Sequence, residues 1–170
     1  MPPTTLEERQ RIQQLDRTAL SQLQLQKLNS LLAELNAHSS FYKRKLSGCP
    51  AHLESLDPLS SLPPTTKQEL QPAPGNEPFA ANRTYPIERY VRCHQTSGTR
   101  GRPLVVLDTA EAWEWWSEAW LYVLAAAQFT PADRPLLAVS LGPSVRFWCA
   151  FVPLVALGAL FLANLVAAVP

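Results

Sequence analysis

From Phe147 to Pro170 the chain carries no charged residue. A run of 24 such residues, rising about 1.5 Å each in a helix, is long enough to cross the hydrocarbon core of a bilayer. Buried parallel strands and their crossover helices look similar, because elements covered on both faces read as near-continuous apolar segments. Pro153, Gly158 and Asn164 interrupt this run. The Leu157-Gly158 step matches a helix that stops on a C-terminal glycine. The prediction is therefore a helix over 144–157 closed by Gly158, then a buried strand over 159–163, rather than a membrane span.

The segments upstream extend that pattern. Residues 6–37 read as one helix, with Leu20, Leu23, Leu28, Leu31, Leu32 and Leu35 on a broad apolar face. Strict heptads fail, so this helix is expected to pack on its own domain rather than in a coiled coil. Residues 47–86 form a proline-rich connector anchored by Leu56, Leu59, Leu62 and Leu70. Thr66 with Glu69 is a capping-box pattern, so a short helix is predicted there. Residues 89–95 and 104–108 read as strands. Asp108 with Glu111 resembles a second capping box, opening a helix that runs to about Ala127. Its stripe of Trp113, Trp116, Trp120, Leu124 and Ala127 reads as core rather than as a ligand platform. Residues 129–135 form a turn, 136–140 a short buried strand and 141–143 another turn. Strands alternating with helices imply an α/β protein with a mainly parallel sheet.

Between the first two strands lies Thr96-Ser97-Gly98-Thr99-Arg100-Gly101-Arg102-Pro103. Glycines let a chain curl with positive φ and approach a ligand closely, and successive backbone N–H groups then form a concavity suited to anions. Serine and threonine hydroxyls add donors, and arginines add charge for a phosphate. Neither GxxxxGK[ST] nor GxGxxG is present. Composition alone leaves two readings open, a phosphate loop or a plain turn.

The bulk numbers exclude several classes. A net charge of +1 argues against a nucleic-acid surface. The three cysteines, Cys49, Cys93 and Cys149, include no CxxC pair, so neither a zinc knuckle nor a redox motif is indicated. Reduced thiols and a polar N-terminus without an apolar signal core fit a cytoplasmic protein. His38, His52 and His94 show no acidic partner in the sequence, and His94 reads as a strand residue near the loop. No catalytic residue and no metal ligand is assigned.

The ordered motifs resemble a known family. Thr96-Ser97-Gly98-Thr99-x-Gly101-x-Pro103 between two strands resembles the ATP loop of adenylate-forming enzymes. Phe41-Tyr42-Lys43-Arg44-Lys45-Leu46 and the segment Leu62 to Leu70, LPPTTKQEL, are similar to the phenylacetate–CoA ligase-like branch. So are Arg92-Cys93-His94-Gln95, Trp113 to Trp120, Asp133-Arg134, Gly142-Pro143 with Phe147-Trp148, and Leu157-Gly158-Ala159-Leu160. The likeness covers about residues 20–163. Arg100 stands where the family usually has threonine, which removes one hydroxyl contact. After Leu162 the usual glycine-rich turn is replaced by an apolar segment.

The resemblance implies the N-terminal part of the large domain of such an enzyme: a helical, proline-rich segment over 1–86, then an incomplete α/β nucleotide-binding subdomain over 87–170 with its phosphate loop at 96–103. It implies an AMP-forming acyl-CoA ligase using ATP, magnesium, coenzyme A and a small carboxylic acid. The carboxylate attacks the α-phosphate and expels pyrophosphate; the coenzyme A thiol then displaces AMP. Thr96, Ser97, Gly98, Thr99 and Gly101 would line the triphosphate, with Arg102 adding charge. Leu141, Gly142 and Phe147 fall where the family builds part of its acyl pocket. The adenine pocket, the ribose-binding acid and the lysine-bearing lid come later in such proteins. Lys27, Lys43, Lys45 and Lys67 all precede the loop. The expectation is a fragment inactive alone, without membrane or nucleic-acid partners and with a homodimer allowed. The alternatives are a non-catalytic, partner-binding remnant and, less favoured, a membrane-inserted protein.

Overall fold

A computed structural model describes residues 4–73, 78–96, 98, 101–137 and 145–163. The contacts divide the chain into two units: residues 15–90 with 104–107, and the remainder.

The first unit is mainly helical. Helix α1 (Leu6–Gln13), which belongs to the second unit, is separate from α2 (Arg17–His38), so the single helix predicted over 6–37 is two. The break is local chemistry. The Asp16 side chain accepts from the Ala19 N–H at 2.8 Å and starts a new helix, as N-cap residues do. Helix α3 (Ser40–Lys45) follows, with Ser39 as its cap. The connector is pinned at Leu53, 2% exposed. Asn29 of α2 clamps it from both sides, accepting from the Leu53 N–H at 2.8 Å and donating to its carbonyl at 2.9 Å. Of the predicted leucine anchors, Leu56, Leu62 and Leu70 are half-buried, whereas Leu59 is exposed. The predicted capping box is present: Thr66 and Glu69 bond reciprocally at the start of α4 (Lys67–Leu70). The Ala80 N–H donates to the Val105 carbonyl at 2.8 Å, and Phe79 bridges Val105 in parallel.

In the second unit, Thr5 and Glu8 form a capping box on α1. Thr4 bonds Glu118, and Gln13 donates to the Tyr122 carbonyl at 2.8 Å, so α1 lies on α5 (Ala110–Ala126). Strand β1 (Tyr90–Gln95) belongs to this unit from Val91 onward, as do Asp108 and Thr109 at the end of β2 (Val105–Thr109). The helix after β2 begins one residue later than predicted. Thr109, not Asp108, caps it, accepting from the Ala112 N–H at 3.2 Å, and Asp108 stays in the strand. The buried row of α5 is Trp113, Leu121 and Ala125, while Trp116 is exposed. Four-residue steps keep those three on one face; the predicted row of mixed steps drifts off it.

The C-terminal part carries a parallel pair. Strand β3 (Leu136–Leu137) leads through α6 (Val145–Leu157) to β4 (Leu162–Ala163), with Leu136 opposite Leu162. Gly158 at φ 77° ends α6, as predicted. The following strand is shorter than predicted. Leu137 and Leu154 form a core flanked by Phe129, Trp148, Phe151 and Phe161. Helix α6 has 13 residues and contains Pro153. Among the described residues no helix is long and apolar enough to cross a membrane. The predicted turn 141–143 lies outside the described residues.

Candidate functional site

Strand β1 alternates. Val91, Cys93 and Gln95 are exposed, Arg92 is half-buried and His94 is buried. The period of two puts Arg92 and His94 on one face. Both meet Trp113 of α5: the His94 ring stacks on it with centroids 5.1 Å apart at 26°, and the Arg92 guanidinium sits 4.4 Å from an indole ring centre. Arg92 also lies 5.9 Å from the Trp148 ring of α6. This is a cation held between indoles, a geometry favoured by the ring quadrupole.

Asp108 of β2 completes the group. Its Oδ2 lies 3.1 Å from His94 Nε2, with side chains 14% and 9% exposed respectively. The approach is off the ring N–H line. Neither His94 nitrogen has a hydrogen-bond partner, nor does Trp113 Nε1. The His94–Asp108 contact is thus electrostatic rather than an aligned hydrogen bond. Burial pushes the Asp108 carboxyl above the usual range, and the charges of His94 and Arg92 oppose that shift. Burial likewise raises the Cys149 thiol, while a hydrogen bond with Trp120 pulls it down and Asp108 adds to the rise. The acidic partner that His94 lacks in the sequence is therefore supplied by β2. The alternation along β1 marks Arg92 and His94 as one face, but the register that brings Asp108 to them is set by strand pairing.

The loop runs from β1 to β2 directly beyond this cluster. Gly98 has φ 69° and Gly101 φ 114°, both in the region that side chains rarely adopt. A Cβ at Gly98 would come within 2.9 Å of Pro103 Cγ and 3.1 Å of the Gly101 carbonyl oxygen. Gly98 thus lies close against Gly101 and Pro103. Thr96 leaves β1, and Arg102 precedes Pro103 before β2. Ser97 and Thr99 lie outside the described residues, as do Leu141 and Gly142. Phe147 falls within α6, but its side chain is outside the description. The structure therefore brings Thr96, Gly98, Gly101 and Arg102 into one short segment and leaves the acyl-pocket residues unplaced.

Each unit has a cavity. In the helical unit, about 510 Å³ is lined by Ser40, Arg44, Gln71, Phe79 and Arg83. In the other, about 690 Å³ is lined by Trp113, Trp115, Glu118, Leu121, Val152 and Ala156, so Trp113 is shared with the His94 cluster.

No protein-family model matches the chain. Two curated proteins do. The phenylacetate-coenzyme A ligase of Escherichia coli (strain K12) is 34% identical over 126 residues, 72% of this chain and 28% of that protein. The ligase of the same name from Pseudomonas putida is 31% identical over 119 residues, 68% of this chain and 26% of that protein. The chain thus spans little more than a quarter of the curated relatives it matches. Among solved structures, a 2-hydroxyisobutyryl-CoA ligase in complex with 2-HIB-AMP superimposes with a TM-score of 0.77, at 20% identity, over 90% of this chain and 33% of that one. The same ligase with 2-HIB-AMP and CoA gives 0.78 at 22% identity, over 91% of this chain and 33% of that one. These identities establish shared fold. The sequence likeness, the ordered motifs and the superposition agree: over the matched residues the chain is similar to the phenylacetate-coenzyme A ligases and shares the fold of an acyl-CoA ligase.

Proposed function

We propose that this chain supplies the triphosphate-binding loop of an AMP-forming acyl-CoA ligase acting on an aryl or related small carboxylic acid. The observation that carries the reading is the curl at Gly98. Its positive φ and the close approach of Pro103 and Gly101 leave no room for a Cβ, and the curl sits between two strands. Backbone that folds this tightly turns N–H groups to one side, which is what a polyphosphate needs. Thr96, Ser97, Gly98, Thr99 and Gly101 line the triphosphate in this reading, and Arg102 adds positive charge as pyrophosphate departs. Leu141, Gly142 and Phe147 border the acyl group. The resemblance also brings in magnesium. Among the described residues no three His, Cys, Asp or Glu side chains converge on a metal position. A cytoplasmic setting belongs to the same proposal.

Residues 1–170 by themselves are proposed to bind nucleotide without turning it over. No lysine follows the loop, and removing one electrostatic donor from a transition state typically costs about 10²–10³-fold in rate. The test is acid-dependent pyrophosphate release with ATP, magnesium and coenzyme A across aryl and short aliphatic acids. It compares the 170-residue chain with a protein that joins these residues to the remainder of a relative's domain. Release by the joined protein, abolished by Ser97→Ala with Thr99→Ala, supports the ligase. Turnover by the 170 residues alone would show that the catalytic groups lie within them.

A further inference from the structure

We propose that Thr4 and α1 form a releasable strap at the edge of the cavity between α5 and α6, and that hydration of the buried Arg9 guanidinium drives its release.

The contacts that hold the strap on α5 are polar. The Thr4 N–H donates to Glu118 Oε2 at 3.2 Å, and the Thr4 hydroxyl donates to Glu118 Oε1. At the other end Gln13 donates to the Tyr122 carbonyl at 2.8 Å. Of the two apolar side chains in α1, Leu6 is exposed and Ile12 is half-buried. Apolar burial, the dominant force in helix docking, therefore contributes little here. A helix of eight residues is not stable in water by itself, so α1 is folded only while it is docked.

Arg9 sets the balance. Its side chain is 6% exposed. Nη1 donates to the Thr4 carbonyl and, at 3.3 Å, to the Thr4 hydroxyl, both within the strap itself. Across the contact, Glu118 Oε1 lies 4.0 Å from Nη1, beyond hydrogen-bond distance, and Nε has no hydrogen-bond partner. A charge taken out of water and matched this loosely costs more than the pair returns. Undocking gives the guanidinium back to water and removes that cost. A segment with few buried apolar contacts opens locally while the rest of the fold persists.

The strap borders a cavity. Thr4 and Glu118, which bond across the α1–α5 contact, both line the space of about 690 Å³ whose apolar wall is Trp113, Leu121, Val152 and Ala156. Release parts Thr4 from Glu118 and opens that wall at its edge to a neutral apolar molecule. The strap is thus a gate on the cavity.

The experiment is native-state hydrogen exchange on the 170-residue protein, with and without urea below its unfolding transition. Amides of α1 should exchange at least about a hundredfold faster than those in the middle of α5, and without the urea dependence of global unfolding. Glu118→Ala leaves Arg9 buried without its counter-ion and should speed α1 exchange about tenfold further. Arg9→Met keeps the volume and removes the charge, so it should slow α1 exchange. Fluorescence of the neutral probe N-phenyl-1-naphthylamine reads the cavity, and should rise in Glu118→Ala and fall in Arg9→Met. Should either variant fail to fold, the wild-type comparison of α1 with α5 still decides. Equal rates and equal urea dependence in the two helices would overturn the strap. Unchanged or faster α1 exchange in Arg9→Met would overturn the role of Arg9. Probe fluorescence that is the same in all three proteins would overturn the gate.

Discussion

His94 Nε2 lies 3.1 Å from Asp108 Oδ2, across the two strands that border the loop at 96–103. The pair is enclosed by Trp113, with Arg92 over the same indole. Burial raises the Asp108 carboxyl, so its ionised form is held at a cost that His94 and Arg92 partly offset. A group whose folded pKa is raised stabilises most below its unfolded value and loses that contribution as pH rises through the folded one. Stability should therefore depend on pH at this position. Asp108→Asn should retain thermal stability better at pH 8 than at pH 4, relative to the wild type, when both are followed by circular dichroism.

Gly98→Ala should be far more damaging than Gly48→Ala. Both glycines have positive φ, 69° and 86°, so each substitution carries left-handed strain of about 1–2 kcal/mol. Only at Gly98 does a new Cβ also meet other atoms, Pro103 Cγ at 2.9 Å and the Gly101 oxygen at 3.1 Å. Nucleotide affinity should weaken at least about tenfold in Gly98→Ala, a loss of roughly 1.4 kcal/mol, and stay unchanged in Gly48→Ala. Calorimetric titration with ATP, alongside thermal melts of both variants, measures the two effects.

Thr109→Ala should destabilise α5. The Thr109 hydroxyl is buried and caps the helix by accepting from the Ala112 N–H. Losing such a cap costs about 1–2 kcal/mol, whereas Thr109→Ser keeps the acceptor and most of the stability. Denaturant midpoints of the two variants should differ in that order.

Tyr85 donates to the Glu34 carboxylate, and that hydrogen bond, aided by burial, pushes the phenol up to about 12. Its stabilising share is full below the unfolded value near 10 and fades as pH rises through about 12. Ultraviolet titration should show one late tyrosine. It should vanish in Tyr85→Phe and move towards 10 in Glu34→Gln.

Thiol reactivity should follow burial. Cys93 is exposed on β1, Cys49 is half-buried, and Cys149 is buried with its thiol raised. Because the thiolate is the reacting species, Cys93 should label first and Cys149 last. Mass spectrometry after timed alkylation reads the sequence of labelling, and early modification of Cys149 would contradict the packing of α6.

The amino-acid sequence by itself determined the local choices. Thr66 with Glu69 announced a capping box, Gly158 ended α6, and Gly98 and Gly101 marked a loop of positive φ between two strands. These rest on chemistry within three or four residues, so they can be read without knowing the neighbours. The break at Asp16 was also local, but its signal was hidden within a continuous run of helix formers. Only tertiary structure decided which residues meet. Asp108 looked like a helix cap and is instead the half-buried partner of His94, because strand pairing sets the register and Thr109 takes the cap. Trp116 shares the aromatic character of Trp113 yet faces outward, because packing selected a row at four-residue steps. Leu53 became an anchor through Asn29, 24 residues away, a pairing that no local pattern encodes. Side-chain contacts between distant segments depend on the path of the backbone in three dimensions, and short-range periodicity carries no information about that path.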